Sequence, residues 1–97
     1  MATYISLLHF TRQGGLTIKD SPRRRAAATR AIAGLGGTLK HTYLTLGRFD
    51  GVVIFDAPDD HTAAKIALVM GTQGDSSAET LRAFPEDEFD QIIKSLP

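Results

Sequence analysis

Apolar residues in this chain follow two rhythms. Over residues 3–10 they fall on both alternating faces and over residues 52–55 they are consecutive, whereas over residues 23–35 and 59–70 they recur every three or four. Consecutive apolar positions predict strands covered on both faces, because a strand with one wet face alternates. In the first such run Tyr4, Ser6, Leu8 and Phe10 share one face and Ile5, Leu7 and His9 the other. In the second, Val52, Val53, Ile54 and Phe55 are unbroken. Residues 38–46 are mixed: Leu39, His41, Tyr43 and Thr45 alternate with Lys40, Thr42, Leu44 and Leu46. A strand that accepts a Lys reads as an edge strand. The short turn from Gly47 to Asp50 joins it to residues 52–55 as an antiparallel hairpin.

The helical rhythm is punctuated at both ends. Gly14-Gly15 break the first strand, and the chain is read as loop as far as Asp20. Asp20 or Ser21 caps a helix with Pro22 just inside, Ala28, Ala31, Ile32 and Leu35 form its stripe, and Gly36-Gly37 end it. Asp59 caps a second helix, and Asp60 complements the dipole in its first turn. Ala63, Ile66, Ala67 and Met70 form its buried stripe, and Gly71 and Gly74 end it. Residues 77–84 read as a fourth strand. Pro85 opens an acidic segment in which Phe89, Ile92, Ile93 and Leu96 predict a terminal helix that packs back.

The order β-α-β-β-α-β, with right-handed crossovers and neighbouring hairpin strands, favours an α+β, ferredoxin-like antiparallel sheet of order 4-1-3-2 with a short C-terminal helix. Strands one and three are then central, and they are the two with apolar residues on both faces. The helices cover one face in this topology. The other face must meet a second copy, a ligand or the terminal helix, and one short helix is too small for four strands. A second copy is the expected cover.

Composition narrows the function classes. The chain of 97 residues is read as one domain over residues 1–97, with 42% hydrophobic and 23% charged positions. Eleven basic residues balance eleven acidic ones, so no excess of charge points to nucleic acid or an anionic membrane. Cysteine is absent, which excludes disulfides, thiolate catalysis and thiolate metal sites. The segment MATYISLLHF has no basic residue ahead of its apolar run, and the run is too short for a membrane span. The expected location is cytoplasmic.

The same segments resemble the GYD domain family of small prokaryotic proteins, of the kind found in bacteria. The resemblance runs through Thr11-Arg12-Gln13-Gly14, Lys19-Asp20-Ser21-Pro22-Arg23-Arg24 and Gly36-Gly37. It continues in Tyr43-Leu44-Thr45-Leu46-Gly47-Arg48-Phe49-Asp50, Pro58-Asp59-Asp60, Glu79-Thr80-Leu81-Arg82-Ala83-Phe84 and Glu88. The family's Gly-Tyr-Asp motif is altered here: Arg48 separates Gly47 from the aromatic, which is Phe49, before Asp50. The resemblance implies a fold of the dimeric α/β-barrel type and no established activity. Losing the phenol at Phe49 argues against a catalytic hydroxyl in the motif.

Candidate ligand-binding residues are His9, Arg12, His41, Tyr43 and Asp50. Imidazole and phenol groups on one sheet face can bind a polar-aromatic molecule or move protons. The plainer account makes His41 a solvent-facing edge residue, His9 a strand end and Asp50 a turn builder. Arg23-Arg24-Arg25 at a helix start could hold an anion, or pair with an acidic neighbour such as Glu86-Asp87-Glu88. His9, His41 and His61 are scattered without HxH or HxxxH spacing, so no metal site is expected. No Walker or dinucleotide loop is present and no cofactor is expected. The serines lack a nucleophile elbow.

The favoured reading is a non-catalytic homo-oligomeric module (a homodimer or higher assembly) that holds a small molecule at the sheet or subunit interface. The alternative is a cofactor-independent enzyme, of oxygenase or isomerase type, acting on a small aromatic or polar substrate. Oxygenases of this architecture lean on Trp, Asn and His, and Trp and Asn are both missing. A ligand-sensing regulator lacks any DNA-binding segment of its own.

Overall fold

The computed structural model describes residues 1–97. Strand β1 (Ala2–Phe10) leads into a short helix α1 (Arg12–Leu16), a 3-10 turn (Ile18–Asp20) and helix α2 (Ser21–Gly34). Strands β2 (Thr38–Leu44) and β3 (Gly51–Ala57) follow, then helix α3 (Asp60–Gly71), strand β4 (Ser76–Ala83) and helix α4 (Glu86–Lys94). The four strands form one antiparallel sheet in the order β2-β3-β1-β4. The two strands with apolar residues on both faces are central, and the Lys-bearing strand lies at an edge, as the patterning requires.

Three local features depart from the sequence reading. The segment after Gly14 is not a loop. Thr11 caps α1 by accepting a hydrogen bond from the Gly14 N–H at 3.1 Å, so residues 12–16 coil into a helix despite two glycines. The register of β2 against β3 shifts between Leu39 and His41. This bulge puts Leu39, opposite Phe55, on the same face as Thr42 and Leu44. His41 and Tyr43, opposite Ile54 and Val52, take the other face. Strict alternation therefore fails, because a bulge spends one residue outside the pleat. The third departure is α4, which does not pack back: it carries no buried residue and makes no substantial packing with any strand.

The core is small and sits toward one end of the helix-covered face. Tyr4, Phe55 and Ala57 from the sheet meet Ile32 of α2 and Ala63 and Ile66 of α3. The Tyr4 and Phe55 rings stack at 5.4 Å. Gly37 lets Ile32 and Ile66 close on the end of β3, since a Cβ there would lie 2.8 Å from the Asp56 carbonyl oxygen and 2.9 Å from Ile32. Helix α3 begins as expected, with the Asp59 carboxylate accepting from the Thr62 N–H at 2.8 Å. That bond holds the Asp59 carboxyl below its ordinary value of 3.8.

The opposite face carries Ile5 and Leu7 of β1, Val52 and Ile54 of β3 and Leu81 of β4, which the ladder pairing places in adjacent rows. Neither α2 nor α3 reaches this face, because both pack on Tyr4 and Phe55.

Candidate functional site

A cleft of about 700 Å³ opens where the core stops. Its floor is the helix-covered side of the sheet, with Leu8, Phe10 and Val53, and its walls are α2 and α3. The cause lies in the helix sequences. Ala28 of α2 and Ala67 of α3 face the space, and side chains this short leave it unfilled where Ile32 and Ile66 fill the other end. Gly51 of β3 adds no side chain to the floor. This volume lies within the range of small-molecule pockets.

Two hydrogen-bonded or ion-paired polar pairs stand out in a lining that also includes Arg25, Thr42, Asp50 and Gln73. On the floor, Ser6 and Thr80 face each other across β1 and β4, with hydroxyl oxygens 2.9 Å apart. At the mouth, Arg24 of α2 pairs with Asp75 just before β4 at 3.7 Å, both side chains about three-quarters buried (24% and 22% exposed). Arg24 also donates to the Thr17 carbonyl and hydroxyl, each at 2.9 Å. Asp75 is itself built into the frame: its carbonyl accepts from the Thr11 N–H at 3.0 Å, and the Thr11 hydroxyl donates to the Gly74 carbonyl at 2.7 Å. The Thr11-Arg12-Gln13-Gly14 segment thus fastens α1 to the cleft mouth.

The sequence-derived candidates divide between three places. His9, His41 and Tyr43 share the open sheet face with Ile5 and Leu7, since Ile54 pairs with both Ile5 and His41, Val52 pairs with both Leu7 and Tyr43, and His9 is two residues on from Leu7 in β1. The His41 and Tyr43 rings lie 6.0 Å apart, and His9 lies 4.8 Å from Phe49. Arg12 begins α1 and is exposed. Asp50 closes the β2–β3 turn, and its carboxylate accepts from the Phe10 N–H at 2.8 Å. Only Tyr43 and Asp50 of the five contribute to the cleft wall. The arginine cluster has other partners than the acidic segment near the C-terminus: Arg23 pairs with Asp20 at 3.4 Å and Arg24 with Asp75, while Glu88 pairs with Arg82 at 3.4 Å. Ser6, Thr80 and Asp75 escaped sequence reasoning, because a lone Ser in an apolar strand and an Asp after a glycine carry no motif.

A second polar network sits at the core end. The Tyr4 hydroxyl donates to the Asp60 carboxylate at 2.5 Å, and the Arg82 guanidinium lies 5.6 Å from the Tyr4 ring and 4.4 Å from the Phe84 ring. Burial, together with the Asp60 carboxylate, pushes the Tyr4 phenol up to about 12. No group of three or more His, Cys, Asp or Glu side chains is arranged to hold a metal ion.

The model of the GYD domain matches residues 4–93. The chain belongs to the GYD domain family. The match begins at Tyr4 and ends inside α4, so both the sheet and the cleft lie within the GYD domain. No curated protein and no solved structure matches the chain. No helix is long and apolar enough to cross a membrane.

Proposed function

We propose that this GYD domain is a non-catalytic, homo-oligomeric module of ferredoxin-like, dimeric α/β-barrel type. Two copies meet through their open sheet faces, and each keeps its cleft for a small, largely apolar molecule. The observation that carries the reading is surplus surface. The chain exposes 6671 Å², where a monomer of 10.5 kDa typically exposes about 5,400 Å². The surplus, about 1,200 Å², to which the unpacked α4 also contributes, exceeds the roughly 800 Å² that each partner buries in a standard interface. A radius of gyration of 14.5 Å, against about 12.5 Å for a compact chain of this length, agrees. Ile5, Leu7, Val52, Ile54 and Leu81 form a contiguous apolar area on one side, the kind of patch that marks an interface.

Binding rather than turnover is favoured by where the titratable groups lie. At the cleft, Arg24 and Asp75 pair with each other and Asp50 is tied to the Phe10 backbone. The imidazoles of His9 and His41 lie on the face proposed for assembly. Native mass spectrometry at about 10 µM protein tests the reading, with wild type expected as a dimer or larger assembly. Ile54→Glu, which sets a charge in the middle of the open face, is expected to give a folded monomer by circular dichroism. A wild-type chain that is monomeric at that concentration overturns the assembly.

A further inference from the structure

We infer that the cleft takes an uncharged, mainly apolar molecule that carries a carbonyl or equivalent hydrogen-bond acceptor, read by the Ser6–Thr80 hydroxyl pair. The inference rests on the ligand-holding reading above and gives that ligand a chemistry. Ser6 is 8% exposed and, apart from the Tyr4 phenol, is the only side chain with a polar group in the buried set. It lies on the central strand β1 between Tyr4 and Leu8, a place where the surrounding pattern calls for an apolar residue. Its partner in the ladder is Thr80, and the two hydroxyls bond to each other at 2.9 Å.

Two hydroxyls bring two protons. Their mutual bond uses one, and neither hydroxyl has another partner in the chain, so one O–H has no acceptor. The apolar side chains that share the cleft lining, Leu8, Val53, Phe55 and Ile66, offer none. A molecule that displaces solvent from this floor loses a hydrogen bond unless it supplies an acceptor. A ketone, aldehyde, quinone or amide oxygen does so without adding a proton that needs its own partner. A carboxylate fits poorly at this depth, because an ionised group carried into an apolar floor without a counter-charge is strongly disfavoured. Of the two guanidiniums lining the cleft, Arg24 is bound to Asp75 at the mouth and Arg25 is exposed, on the first turns of α2.

The experiment titrates the full chain with three probes of one shape: 2-acetylnaphthalene, 2-isopropenylnaphthalene and 2-naphthoate. Amide NMR signals of Ser6, Val53, Phe55 and Thr80 report occupancy. Wild type is expected to bind the ketone at least roughly fivefold more tightly than the alkene, the ratio one neutral hydrogen bond supplies. The naphthoate is expected to bind weakest. The double variant Ser6→Ala, Thr80→Val should bind ketone and alkene alike, and the single variant Thr80→Ser, which keeps both hydroxyls, should retain the preference. Equal affinity for ketone and alkene in wild type, or tighter binding of the naphthoate, overturns the inference while leaving the cleft as a ligand site. No response of these four signals to any probe overturns the ligand-holding reading and this inference with it. The wild-type comparison decides the matter even where the double variant fails to fold.

Discussion

The Asp50 carboxylate accepts a hydrogen bond from the backbone N–H of Phe10 at 2.8 Å, and the Asp50 N–H donates to the Leu8 carbonyl at the same distance. One residue of the β2–β3 turn therefore continues the ladder of β1 beyond the last strand pair. Gly47, with φ 102°, sits in the left-handed region and lets the turn close. The altered Gly-Arg-Phe-Asp stretch of this GYD domain is in these respects a fastening. Asp50→Ala leaves the Phe10 N–H without its charged acceptor, and the expected loss is about 1.5–3 kcal/mol. Asp50→Asn keeps an acceptor oxygen and should recover about half. Urea unfolding of the three proteins checks the order, and an Asp50→Ala protein as stable as wild type contradicts it.

Gly14 and Gly15 stand side by side in α1 but tolerate different changes. A Cβ at Gly14 would fall 1.9 Å from the Asp75 carbonyl oxygen, whereas one at Gly15 meets nothing within 4 Å. The obstacle at Gly14 is backbone, which cannot swing away as a long side chain can. Gly14→Ala is therefore expected to cost on the order of 1–3 kcal/mol. Gly15→Ala should be neutral or stabilising by up to about 1 kcal/mol, since alanine is the better helix former. Thermal melts under identical conditions compare the pair. Because Gly14 also sets α1 against the cleft mouth, its variant should weaken probe binding, and the Gly15 variant should not.

Tyr4 gives the protein an alkaline limit. Its phenol ionises at about 12 when folded, against an ordinary 10.0, because it is buried and donates to the negatively charged Asp60. The folded state thus prefers the neutral phenol. The stability this provides is complete below pH 10 and drains away as pH rises from about 10 toward about 12. In a Tyr43→Phe background, phenolate absorbance reports Tyr4 alone. The titration is expected near 12 in that protein and lower once Asp60→Asn removes the neighbouring charge. An unchanged midpoint after Asp60→Asn assigns no role to the carboxylate.

Much of this architecture is written in periodicity. Residues 3–10 and 52–55 are apolar on both faces because those strands are central, and the order β2-β3-β1-β4 follows from adjacency and handedness. What escaped was everything decided by a single contact across the chain. The bulge at Lys40 is such a case, since no turn residue marks it and it reassigns His41 and Tyr43 relative to Leu39. The helix over residues 12–16 is another, because its cap at Thr11 and its docking on Asp75 offset two glycines. The cleft is the third. Alanines at 28 and 67 satisfy a helical stripe as well as larger residues do, and only the packed structure reveals that they leave space.

Helix α4 separates local amphipathicity from tertiary packing. Phe89, Ile92, Ile93 and Leu96 repeat at helical spacing, yet Phe89 is 56% exposed and Ile93 52%. Its one side-chain tie to the sheet is the Arg82–Glu88 pair at 3.4 Å, a partly exposed contact of the kind worth about 0–1 kcal/mol. The protomer's core, by contrast, depends on Ile66, which is 1% exposed between α3 and Phe55. Ending the chain after Phe84 should leave the sheet, α2 and α3 folded, with the far-UV helical signal falling by about the share of one nine-residue helix. Ile66→Ala should instead cost about 2–5 kcal/mol. Both are read from chemical denaturation in the Ile54→Glu background, so that assembly does not enter the comparison. Collapse of the sheet on removing α4 would mean that its apolar stripe is seated within the protomer after all.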